Sequence, residues 1–202
     1  IQALVGLARQ GTVRATFRES VQALSNLTEV SGLTRRGHAA EVAALSADLA
    51  RRLRMPAEDV EAVTFAGLLH DLGQTALGSP IPEGATVFAA PADQLAIADH
   101  STEIARRAGV SDRVLAILHH QAAPYREVRE FGEAIPLGAR ILKVANAYLD
   151  YDAVAQGRPG AALERIHLGL GYEYDPEVVD ALERSVSGRP SASRGWVDVR
   201  RG

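Results

Sequence analysis

An all-α fold in one domain is what this sequence predicts, and three observations lead there. Apolar residues recur at three- and four-residue spacing along most of the chain. No alternating run that would suit a strand exceeds a few residues. Pro and Gly punctuate the periodic stretches where helices must stop and start. The 202 residues can bury a sizeable core, and 47% apolar with 23% charged residues fits a soluble globular protein.

The elements follow in order. The opening stretch, through Phe17, Val21, Leu24 and Leu27, reads as an amphipathic helix. A second helix is predicted from about Arg36 to Leu53, with His38, Val42, Leu45 and Leu49 on one face. Pro56 suits the first turn of the next helix, which carries Val60, Val63, Gly67 and His70 and stops at Gly73. Residues 78–91 hold three Pro and two Gly and are expected to loop. A helix through Ile97, His100 and Ile104 should end near Gly109, and Ser111 can cap the one bearing Leu115, Leu118 and His119. Residues 122–135 read as a polar loop. A long helix from Pro136 to about Ala155 presents Leu142, Asn146 and Leu149, and shorter ones follow near Ala161–Leu168 and Pro176–Ser185. The expectation is a bundle of about seven to eight helices with a metal site in its core. Residues 1–33 are assigned to an N-terminal helix that links or dimerises, 34–186 to the domain and 187–202 to a basic tail.

Composition excludes several functions. A net charge of −3, from 22 basic and 25 acidic residues, gives no whole-chain field for nucleic acid. The arginines around Trp196 in the tail read as a solvated terminus, so no nucleic-acid partner is expected. No apolar run nears the roughly 18 residues that span a bilayer. Zero cysteines exclude disulfides, thiolate metal sites and thiol nucleophiles. The expected location is the cytoplasm, as the cytoplasmic part of a larger sensor protein, since the chain opens at Ile1 without Met.

Placement of the six histidines carries the functional reading. His70 and Asp71 are adjacent at a helix end, His119 and His120 are adjacent at another, and His38 and His100 fall on the apolar faces of their helices. Imidazole and carboxylate groups converging in a bundle core can bind divalent ions, which lower the pKa of bound water and clamp phosphate oxygens. Taken singly, each histidine also reads as an ordinary core or helix-end residue.

Taken together, the segments LTRRGHAAEV, LLHDLGQTAL, DHSTEIA, ILHHQ and EAIPLGARILKVANAYLD resemble the HD superfamily of metal-dependent phosphohydrolases, and within it the HD-GYP branch. Members of that branch hydrolyse cyclic di-GMP with two or three metals, commonly iron or manganese. The resemblance implies His38, His70, Asp71 and Asn146 as ligands shared across the superfamily, and His100, His119 and His120 as those of the extra metal. It implies two ions, iron or manganese, bridged by Asp71.

Four departures fall at the site. Gln74 stands where the HDxGK lysine is expected, Gln121 where Glu follows the HH pair, and Asn146 where the last Asp belongs. The GYP segment is absent. Asn146 can coordinate through its amide oxygen but offsets no metal charge; Asp150, one turn onward, either compensates or is a solvated or capping residue. Arg158 resembles the branch's phosphate-binding basic residue. The catalytic set implied is Asp71, Gln74 and Arg158. Two functions stay open: an active phosphodiesterase on a cyclic dinucleotide or another phosphate ester, and a degenerate, non-catalytic module that binds a nucleotide or a protein. An upstream sensor or signalling module and a homodimer are the other partners expected.

Overall fold

Small residues decide how closely the central helices approach. The computed structural model describes residues 19–81, 84–131, 134–155, 158 and 160–187. Among these, nine α-helices form and no β-strand does. Helix α1 covers 19–30, α2 His38–Arg52 and α3 Ala57–Leu69. Helices α4 (Pro91–Arg107), α5 (Asp112–His119) and α6 (Tyr125–Phe131) follow, then α7 (Leu137–Val154), α8 (Ala161–Leu168) and α9 (Pro176–Val186). The all-α prediction holds.

Helices α2, α3 and α7 pack on one another around Val42, Leu49, Val63, Leu69, Ile141 and Leu142, all buried. Gly67 makes the α2–α3 contact: a Cβ there would lie 2.7 Å from the Ala43 Cα. Gly73 does the same for α4, since its Cβ would meet the Ile97 carbonyl oxygen at 2.1 Å. Both approaches bring helix ends that carry polar side chains toward one point. Val21 of α1 joins the same core, whereas Phe17 and the rest of 1–18 lie outside the described residues, as does the tail 188–202.

Four local expectations are corrected. Helix α3 ends at Leu69, with His70 as its C-cap, rather than running to Gly73. A 3-10 turn, Leu72–Ala76, takes over, because the Gly73 N–H is captured by the Ser101 hydroxyl at 2.8 Å instead of continuing the helix. The Ser111 side chain makes no capping bond. The predicted loop 78–91 contains a 3-10 turn, Thr86–Phe88.

The predicted polar loop at 122–135 contains helix α6. It buries no residue, so it shows no apolar stripe to read. Tertiary bonds hold it instead: the Tyr125 N–H donates to the Glu173 carbonyl at 3.2 Å, and Arg126 N–H to that of Tyr172 at 2.8 Å. The Arg126 guanidinium also sits 4.4 Å over the Tyr172 ring. Helix α9 is pinned by Asp175, whose carboxylate accepts from the Glu177 N–H at 2.9 Å and from Arg140 of α7 at 2.5 Å.

Candidate metal centre

The end of α3, the start of α2 and the middle of α7 meet at a buried polar cluster. His38 is the first residue of α2, His70 caps α3, and Asp71 follows it into the 3-10 turn; all three are at most 3% exposed. Asn146 reaches them from α7: its Oδ1 lies 3.0 Å from His38 Nε2 and 3.2 Å from His70 Nε2. Asp71 Oδ2 lies 3.1 Å from His70 Nε2 and 3.5 Å from His38 Nε2.

Hydrogen bonds behind the cluster fix which atoms face inward. His70 Nδ1–H donates to the Gly67 carbonyl at 2.8 Å, so the neutral ring turns the lone pair of Nε2 toward Asn146 and Asp71. The Asn146 amide donates through Nδ2 to Thr86 Oγ1 at 2.7 Å, which leaves its Oδ1 aimed at both histidines. Both carboxylate oxygens of Asp71 are buried without a hydrogen-bond partner. With both Nε2 atoms unprotonated, acceptor faces acceptor in this buried cluster, an arrangement that favours a cation or a proton between them. His38, His70 and Asp71 offer ligand atoms within 4.8 Å of one another, with the nitrogen and oxygen donors that divalent ions take. This donor set fits a metal ion.

Charge coupling ties the three groups together. Burial lowers the His38 pKa against the pull of Asp71. Burial works the same way at His70, but the Asp71 carboxylate outweighs it and holds that pKa above its ordinary value. Asp71, which burial alone would raise, is kept below the usual carboxylate range by His70 and His38.

Asp150 belongs to this environment as well. It is 4% exposed, its Oδ1 lies 3.7 Å from His38 Nε2, and its Oδ2 accepts from the Val87 N–H at 3.1 Å. Burial, then the nearby Asp71 charge, pushes its pKa up to about 7. The solvated reading of Asp150 is therefore overturned, since the turn at Thr86–Phe88 covers it.

The remaining candidates are not in the cluster. His100 is exposed, contrary to the expectation that it faces the core. The buried row of α4 is Ile97, Ser101 and Ala105, flanked by Ala98 and Thr102, because the close approach to Gly73 admits small side chains. That spacing of small residues was the readable signal. His119 is exposed and pairs with exposed Asp99 at 3.4 Å, while the half-buried His120 donates its Nδ1–H to the Ala116 carbonyl, 2.9 Å away. The His119 and His120 rings stack edge to face with centroids 4.9 Å apart. Gln74 is buried, and its amide donates to the Gly84 carbonyl at 3.2 Å. Arg158 is exposed.

Beside the cluster opens a cavity of about 220 Å³ whose wall includes His70, Asp71, Asn146, Gln121, Lys143 and Glu173. Here the sequence neighbours of the expected ligands act as braces. Ser101 donates to the His70 carbonyl at 2.7 Å, and the Gln121 amide donates to the same oxygen at 3.1 Å.

A family model for the HD domain matches residues 35–149. The chain belongs to the HD domain family. It is also similar to the cyclic di-GMP phosphodiesterase response regulator RpfG of Xanthomonas campestris pv. campestris, with 28% identity over 205 aligned residues. That alignment takes in 88% of this chain and 50% of the relative, so the chain spans about half the relative's length. The similarity supports the HD-GYP-like reading of the sequence, and the matched range contains the adjacent His70 and Asp71, both of which line the cavity. Sequence reasoning passed over Thr86 and Lys143, which no local pattern connects to the HD residues: Thr86 arrives from the loop before α4, and Lys143 from α7 one turn before Asn146.

Proposed function

We propose that this HD domain is a metal-dependent phosphodiesterase acting on a phosphate ester, with a cyclic dinucleotide as its substrate. The observation that carries the proposal is the buried convergence of His38, His70, Asp71 and Asn146, of which His70, Asp71 and Asn146 line an open cavity. When bound there, a divalent ion would polarise a phosphoryl oxygen and activate a water for in-line attack. The chain's own residues hold the ligands in place: Gly67 orients His70, Thr86 orients Asn146, and Ser101 with Gln121 fixes the turn between His70 and Gly73. Iron or manganese suits the nitrogen–oxygen donor set, and a second ion would require His100, His119 and His120. The named similarity to a cyclic di-GMP phosphodiesterase supports the substrate, and its name as a response regulator supports an upstream signalling module and a cytoplasmic location. No described helix is long and apolar enough to cross a membrane.

The test is hydrolysis of cyclic di-GMP by protein loaded anaerobically with iron or with manganese. Turnover that chelation stops and His70→Ala abolishes is the expected result. A protein that holds its metal yet neither binds nor cleaves any phosphate diester would sink the proposal.

A second reading, the non-catalytic signalling module, is favoured by two placements. Gln74 spends its amide on Gly84 and brings no charge, and Arg158 is exposed. Binding of a cyclic dinucleotide without turnover would decide for it.

A further inference from the structure

We propose that Lys143 is the cation that receives a non-bridging phosphate oxygen in this cavity, where Gln74 supplies none. The inference rests on the phosphate-ester reading and names the group that recognises the ligand. Lys143 lies on α7 one turn before Asn146, and its side chain is 10% exposed. It lines the same cavity as His70, Asp71 and Asn146, and it is the one Lys or Arg among the described residues that do so.

An ammonium has three donors. Two are taken, by the Ala122 carbonyl at 2.6 Å and by Glu173 Oε1 at 2.6 Å. Burial depresses the Lys143 pKa and the Glu173 carboxylate works against that, so the charged form depends on an anionic partner. Glu173 is 34% exposed in its side chain, so it can turn to water when another anion arrives. A phosphate oxygen would then replace the carboxylate as the charge-assisted partner, with the Ala122 carbonyl still holding the ammonium in place. Without such a cation a phosphate would enter a cavity walled by two carboxylates, Asp71 and Glu173. The volume, about 220 Å³, is below the roughly 300–1,000 Å³ of pockets for drug-sized ligands, so it accepts a phosphate with its adjoining sugar rather than a whole dinucleotide.

Calorimetric titration of the full manganese-loaded chain with cyclic di-GMP tests this, using wild type, Lys143→Met, Lys143→Arg and Glu173→Gln, with metal content and melting temperature measured for each. Expected are a loss of about tenfold or more in affinity for Lys143→Met, retention within about threefold for Lys143→Arg, and a gain of about two- to fivefold for Glu173→Gln. The two substitutions at the ion pair therefore move affinity in opposite directions. A pair that only holds α7 to residue 173 would lower the melting temperature in both and leave affinity within about twofold, which overturns the inference. Wild-type binding that Lys143→Met leaves intact also overturns it, while the phosphate-ester reading stands. No binding by wild type overturns both.

Discussion

Two groups of histidines in this domain have the same side chains and opposite surroundings. His38 and His70 are buried with Asp71 and turn their Nε2 atoms toward one point. His100 and His119 are exposed, and His119 meets an exposed Asp99. Water can solvate the second group at any protonation state, so its arrangement has little energetic consequence. In the first group the acceptors are buried, and their proximity is unfavourable until a cation or a proton lies between them. Burial, more than residue identity, distinguishes a cluster that could hold a metal tightly from one with little energetic need of it.

The comparison is broken most directly at Asp71. Chelation of the purified protein should lower its melting temperature by several degrees, as for any tightly bound ligand that selects the folded state. Asp71→Asn should abolish tight metal binding and make melting insensitive to chelator. Equal chelator responses in the two proteins would show that the buried cluster is not the metal centre.

Asp150 sharpens the contrast through pH. Its folded-state pKa near 7 lies above the ordinary 3.8, so folding takes up a proton between those values. Wild-type stability from this group accordingly falls as pH rises through that window. In chelated protein, Asp150→Asn should be more stable than wild type at pH 8, by at most about 4 kcal/mol, and the gap should close toward pH 4. With manganese bound the sign should reverse at pH 8, because the carboxylate then offsets the ion's charge. A gap independent of pH would show that Asp150 is not buried against Asp71.

Asn146→Asp supplies a charge at the same point. It should tighten manganese by about tenfold while destabilising the chelated protein, since another carboxylate joins Asp71 without water. Calorimetry and thermal unfolding measure the two effects separately. The smallest effect is expected at the exposed group: His100→Ala and His119→Ala should change stability by no more than about 0.5 kcal/mol. Elemental analysis of these variants reports on the second ion. Loss of one of two ions would show that these histidines close on a metal when it binds.

Much of this was legible along the chain. Helices α2, α8 and α9 lie close to where periodicity predicts them, because each has a strong apolar stripe and clear stop signals. Helix α6 was not legible, since its bonds to residues 172 and 173 come from outside its own sequence. His38, His70 and Asp71 were readable as candidate ligands because a ligand must be His, Asp or a similar donor. Asp150 was ambiguous and Lys143 was passed over for the opposite reason, since charged residues on a long helix are usually solvated.

The sequence by itself determined the helical class, most of the breaks between helices and the identity of the HD residues, because periodicity and donor chemistry are local properties. Tertiary structure decided which histidines are dry, which way Asn146 points and which cation enters the cavity. Those depend on helix approach at Gly67 and Gly73 and on a loop laid over α7, where a contact of a few ångströms separates a ligand from a surface residue.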